Sequence, residues 1–441
     1  MLFSSSRRSR SPDTVRPLLD PDSAVSTPWQ RPSSPAPVEQ DDDSSRNLMI
    51  AASMFSFAVI GVFVSTIGVI LPFIQDYYQL NDTQVSLVFL AGPVGYVMAA
   101  RLNHAIHVNL GQRGIAVIGP LVEVVAALIT ALHPPFPALL MSFALGGFGY
   151  GLLDGSWCAW AAVMDRANFV SGLLHGSFSA GAGFGPIMAA QLLEGGGAGV
   201  SLVEAVCLSY AFRNEDAERY IKHERLQQVG ASPATKMSKI FVYGATWLCA
   251  AYLLVDVGTE SAVSGWIVSF MMRIRHASPS LSSVCSSGFW GGMALGRVVL
   301  GGLTDRIGLR RGIIIYLLCA IVLQCLFVLV EGLVLSAVII TSIGFFCGPL
   351  FPSCIVQLTK ALPPQLHVAA VSYVASIGQV GGALLPFGLG ALSQWLGLQV
   401  FGTMIAVQLG VCLLLWIMLT SPRLTAPSNM PDGDDEEEEW N

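Results

Sequence analysis

Gly301-Gly302-Leu303-Thr304-Asp305-Arg306-Ile307-Gly308-Leu309-Arg310-Arg311 crowds four charges and three glycines into eleven residues between two long apolar runs. Glycine permits a tight turn and the close approach of two helices. Asp305 can face the positive end of a neighbouring helix, while Arg306 and Arg310, with Arg311 beside them, can grip carboxylates or carbonyls. Such a cluster holds one conformation closed until a rearrangement releases it. The stretch therefore reads as a conformational latch at the mouth of a helical bundle.

The rest of the chain has the character of the two flanks. Charged residues make up 12% and hydrophobic residues 53%, where a soluble protein carries roughly a quarter charged. Between Leu48 and Thr420 the charge gathers in short stretches, separated by runs near the roughly 20 residues that span a bilayer. Helices are expected at about 48–73, 84–106, 114–132, 138–162, 170–193, 198–212, 239–261, 281–303, 312–330, 333–356, 366–391 and 396–419. The fold class is thus an all-α polytopic membrane protein with two sets of six helices.

The expected organisation is a disordered cytosolic tail over 1–46, a first six-helix half over 47–212, a charged linker over 213–238, a second half over 239–420 and an acidic tail over 421–441. Lys and Arg fix the orientation. Arg101, Arg113, Arg166, the linker, Arg306, Arg310, Arg311 and Lys360 fall on one side, and only Arg273 and Arg275 on the other. Both termini are expected in the cytosol, in the plasma membrane rather than the vacuolar one. The sixth helix, with some 15 apolar residues after Gly195-Gly196-Gly197, is several Å short of a roughly 30 Å core. It either thins the bilayer or marks residues missing from this version of the sequence, the second being preferred.

The Gly301–Arg311 stretch resembles the G-x-x-x-D-R-x-G-R-R signature of the major facilitator superfamily, with Leu309 in place of one basic residue. Aligning Gly111-Gln112-Arg113 with Gly308-Leu309-Arg310 puts Gly95 on Gly292 and helix 2 on helix 8, as a duplicated transporter requires. The position of Asp305 is then Val108, which weakens the first-half latch and leaves His104, His107 or Arg113 to replace it in part.

Acids inside apolar helices are functional candidates, because each costs energy to bury. Asp154 lies in a glycine-rich stretch of helix 4, where Trp157 and Trp160 offer stacking faces for a ligand. Asp256 and Glu260 sit four apart on one face near the outer part of helix 7, an arrangement that favours holding a proton. Glu123 and Glu204 complete the set. Gln191, Gln357, Tyr373 and Gln379, with Trp290, suit sugar hydroxyls, since an amide donates and accepts at once. Pro93, Pro186, Pro349 and Pro386 mark kinks. The nine cysteines stand inside or beside apolar segments without a C-x-x-C pair, so neither a disulfide framework nor a metal site is expected.

Leu152-Leu153-Asp154-Gly155-Ser156-Trp157, Leu174-His175-Gly176-Ser177-Phe178, and Gly258-Thr259-Glu260 with Gly265-Trp266-Ile267-Val268 resemble the fungal branch of the fucose permease-like sugar transporters. That resemblance implies proton-coupled monosaccharide uptake with Asp154 as the helix 4 acid. The bacterial pattern also has an acid in helix 1, and Phe55 to Ile70 has none.

Three readings remain. A proton-coupled symporter of a sugar or similar polar solute leads, followed by a proton-antiport exporter of drugs or metabolites. A transport-inactive sensor on the same fold is third. An enzyme is not expected, for want of an HExxH, a phosphate-binding loop or a nucleophile–base set. The expected partners are a small-molecule substrate and the bilayer. No cofactor beyond a coupling proton and no nucleic acid is expected, and the chain should be a monomer.

Overall fold

Gly308 adopts φ 88° and ψ 138°, so one helix ends and the next begins at a single residue. Gly111 breaks a helix in the same way with φ 69°. Side chains rarely occupy this left-handed region, and glycine does so freely. The computed structural model describes residues 43–162, 164, 167–191, 197–221, 239–363 and 366–421. The expected tails, most of the linker, Arg166 and Glu194 lie outside the described residues.

Among the described residues thirteen helices follow one another: α1 (Asp43–Tyr77), α2 (Asp82–Val85), α3 (Val88–Ala131), α4 (Phe136–Ala162), α5 (Ala167–Gln191), α6 (Gly197–Ala211), α7 (Gly244–Arg273), α8 (Pro279–Ile307), α9 (Leu309–Leu329), α10 (Leu333–Cys347), α11 (Leu350–Ala361), α12 (His367–Leu396) and α13 (Val400–Leu419). The single turn α2 crosses nothing, α3 is two crossing helices joined at Gly111, and α10 and α11 form one crossing interrupted at Gly348-Pro349. The crossings number twelve, in two sets of six. Among the described residues eight stretches are long and apolar enough to span a bilayer by length and composition. Helices α5 and α8, rich in Gly and Ser, face each other across the seam between the halves, where Gly183 comes close to the backbone of Gly291.

The halves repeat in detail. Gln79 and His276 both take φ 53°, and Asn81 and Ser278 both cap the next helix with their side chains. A Cβ on Gly95 would lie 1.8 Å from the Ala144 carbonyl, and one on Gly292 would lie 2.1 Å from that of Thr341. Gly147 packs on the Gly92 carbonyl as Gly344 packs on that of Phe289. Every one of these pairs, with Gly111 and Gly308, is separated by the same 197 residues. For α1 and α7 the spacing is 196, since Gly181 meets the Ala58 carbonyl and Gly381 meets that of Leu254.

Two boundaries differ from expectation or sharpen it. Helix 7 was expected to end near residue 261, yet α7 continues to Arg273. Ser261, Ser264 and Gly265 look like a terminus in sequence, but they are small residues that let a buried helix pack closely: Gly68 meets the Ser264 carbonyl there. Asp256 and Glu260 consequently sit at the middle of the helix, not towards its outer end. Helix α6 is short, with 15 residues against 20 in α13. Pro349 splits its helix, whereas Pro93, Pro186 and Pro386 stay inside continuous ones.

Candidate transport pathway and its closures

Asp154 accepts a 2.5 Å hydrogen bond from the Tyr96 hydroxyl on α3, and Cys158 Sγ lies 3.6 Å from its other oxygen. Gly151 makes the pairing possible, because a Cβ there would press against Tyr96 at 3.0 Å. The Asp154 charge reaches His175 on α5, and so does that of Arg297 on α8. His175 is exposed, and its ring lies near those of Phe57 and Phe351. Arg297 donates to the His175 carbonyl at 3.2 Å, to Ser179 Oγ, and to the Gly348 carbonyl at 3.4 Å. One guanidinium thus joins α5 of the first half to α8 and the α10–α11 break of the second. Its charge also acts on Asp256 and Glu260, both buried on α7. Ionisable side chains therefore run from Asp154 through His175 and Arg297 to the α7 pair, across the seam.

Of the aromatic candidates, Trp290 belongs to this seam. Its Nε1 donates to Ser264 Oγ at 2.9 Å, and its ring meets Phe178 edge-on at 5.8 Å. Trp157 does not offer a ligand face here: it is fully buried and stacked on Phe212 with centroids 4.2 Å apart. Trp160 packs on the same Phe212 ring. Both belong to the first-half core, because the Phe212 ring that follows α6 fills the space beside them. Gln357 is buried, Gln379 is exposed, and Tyr373 packs against Phe241 and Trp247. The Gln191 side chain lies outside the described residues. Glu123 and Glu204 meet each other between α3 and α6, away from the seam.

At the end of the bundle remote from Gly308, the halves are bridged by Asp82. Arg273 Nη1 reaches its carboxylate at 2.6 Å, Ser393 Oγ donates at 2.8 Å and Gln75 Nε2 at 2.6 Å. The Asp82 N–H donates to Gln394 Oε1 at 3.0 Å. Phe89 against Trp266, and Gly68 against the Ser264 backbone, complete a closed distal end. At the Gly308 end, Arg306, Arg310 and Arg311 are exposed. Among the described residues no carboxylate pairs with them, and the Asp305 side chain lies outside that set. The Arg113 N–H donates to the Glu215 carbonyl at 2.9 Å, tying the Gly111 turn to the segment after α6.

Sequence reading missed Asp82, Arg273, Arg297 and His175 as working residues. Arg297 carries a visible signal, a lone guanidinium within an apolar run. The Asp82–Arg273 pair has no local signal.

A twelve-crossing bundle of two matching halves, with charge along the seam and one end bridged, defines a membrane transporter. The sequence matches the profile of the Major Facilitator Superfamily over residues 53–259 and 248–438, and the chain belongs to that family. Bypass of stop codon protein 6 of Saccharomyces cerevisiae is 26% identical over 84% of this chain and 80% of its own length. A putative glucose/galactose transporter of Helicobacter pylori is 28% identical over 43% of each chain. Among solved structures, a bacterial homologue of the human lysosomal transporter Spinster, inward-facing and unoccupied, superimposes with TM-score 0.67 at 12% identity, over 86% of this chain and 97% of its own.

Proposed function

We propose that this transporter carries a sugar or similar small polar solute together with a proton, by alternating access, with the distal end external and both termini cytosolic. The observation that carries the reading is Asp154, held by the Tyr96 hydroxyl and near enough to His175, beside the seam, to act on it electrostatically. A carboxyl group so placed can take a proton from one side and release it to the other as the halves rock. Trp290 and Gln357 lie on the second-half side and supply apolar and amide contacts for a sugar ring. The putative glucose/galactose transporter among the relatives supports the substrate class. With the distal end bridged through Asp82 and Arg273, this conformation is the one closed on the external side.

The test is proton movement in proteoliposomes, read with a pH dye while monosaccharides are added singly. External alkalinisation on adding one sugar establishes symport and names the class. Silence across the panel from folded protein, with drug-driven proton release in its place, sinks symport in favour of export.

A further inference from the structure

Glu123 on α3 and Glu204 on α6 are buried, at 5% and 0% exposure, and face one another with Ser201 and Ser56 beside them. None of their four carboxyl oxygens makes a hydrogen bond of ordinary geometry. Among the described residues no Lys, Arg or His acts on either group. Burying two carboxyl groups against each other without a counter-charge is costly. The fold does not demand the arrangement. At the repeat spacing of 197, Glu123 corresponds to Ala320, and at 196 Ser56 corresponds to Tyr252, both fully buried.

In the second half a buried acid pair has a cation near it. Asp256 and Glu260 occupy the α7 positions that match Ile60 and Val64 on α1, next to Cys347, the counterpart of Tyr150. There Arg297 supplies the positive charge. Its first-half counterpart is Ala100, which has none. In place of a built-in cation the first half has a cavity of about 130 Å³, walled by Glu123, Ile60, Val64, Phe143 and Tyr150, with the paired hydroxyls of Thr130 and Ser142 at one side. A cavity of roughly 150 Å³ takes benzene, so this one has room for a handful of heavy atoms.

We propose that this cavity binds a small organic cation, an alkylammonium or alkylguanidinium, with its charge on Glu123, behind which Glu204 adds a second carboxyl group, and its hydrocarbon among Ile60, Val64 and Phe143. The site lies within the first half, apart from the Asp154–Arg297 seam. The hydrocarbon walls favour such a ligand over a bare inorganic cation, which needs oxygen on all sides.

Thermal unfolding of the full chain in detergent tests this, with butylammonium chloride, 1-butanol and sodium chloride titrated separately. A ligand that binds the folded state raises the midpoint in proportion to its occupancy. The expected result is a saturable rise with butylammonium alone. Glu123→Ala, which installs the residue of the second half, and the isosteric Glu204→Gln should each weaken binding about tenfold or more. Gly146→Leu should abolish it by filling the cavity, since a Cβ there has only Ala126 as a neighbour, at 3.7 Å. An equal rise with 1-butanol, a rise with sodium chloride, no rise at all, or unchanged affinity in both Glu variants overturns the proposal. Should Glu123→Ala fail to fold, Glu204→Gln and Gly146→Leu decide it. None of these readouts uses transport, so a failure here is distinct from a failure of sugar symport.

Discussion

Asp154 is half-buried and accepts a hydrogen bond from Tyr96, and Asp154→Asn keeps the shape while removing the exchangeable proton. Accumulation driven by an imposed pH gradient should vanish in that variant, while exchange of labelled substrate between equal pools continues. Gradient-driven accumulation at the unmodified level would remove Asp154 from coupling. Trp157 belongs to a different category. Its ring is stacked on Phe212 and fully buried, so Trp157→Ala should cost about 3–5 kcal/mol and lower the unfolding midpoint. The gentler Trp157→Phe should leave substrate half-saturation unchanged, and a large rise in it with intact stability would restore Trp157 as a ligand face. At this scale the sequence was half readable. An acid such as Asp154 stands out in an apolar helix, because burial makes it expensive. The same logic applied to basic residues would have found Arg297. The packing of Trp157 was not readable, because it depends on Phe212, 55 positions along, at the end of a different helix.

Between helices, the repeat at 197 residues allows a comparison within one molecule. Gly111 and Gly308 both hold positive φ, so alanine at either costs about 1–2 kcal/mol of backbone strain. Their surroundings differ. A Cβ on Gly111 would lie 2.3–2.5 Å from backbone atoms of Glu215 and Asp216, while one on Gly308 meets nothing within 4 Å. Gly111→Ala should therefore lower the unfolding midpoint well beyond Gly308→Ala, because the 215–216 segment must give way as well. Equal shifts in the two midpoints would mean that the first-half turn is not docked on that segment. This part of the fold was legible early, since Gly95, Gly111, Gly292 and Gly308 are spaced by the turns and close approaches they permit. The extent of α7 was not, because Ser261, Ser264 and Gly265 signal a terminus locally and a packing face only when α1 lies against them.

Across the whole molecule, one conformation is favoured by contacts that no stretch of sequence contains, since Asp82 and Arg273 are 191 residues apart. Asp82 gathers Arg273, Ser393, Gln75 and the backbone contact to Gln394 from three other helices, so it links both halves at the distal end. Its side chain is 5% exposed and that of Arg273 is 40% exposed, which places the pair between a surface ion pair and a buried one. Surface pairs contribute about 0–1 kcal/mol, whereas breaking a buried one costs about 3–5 kcal/mol. Asp82→Asn should thus destabilise the distal-closed state by an intermediate amount, about 1–3 kcal/mol on those bounds, a population shift of roughly five- to 150-fold. Gln79 and His276 are exposed repeat partners in the two halves at that end, which suits them to spin labels once the exposed Cys207 and Cys325 are replaced. The Gln79–His276 distance distribution should gain a longer component in Asp82→Asn. Adding Asp305→Asn, which weakens the opposing latch, should reduce that component again, because the two closures compete for one equilibrium. A distribution unmoved by Asp82→Asn would show that Gly68 and Phe89 packing alone keeps the distal end shut, and a double variant as open as the single one would disconnect the Gly308 turn from the rocking motion.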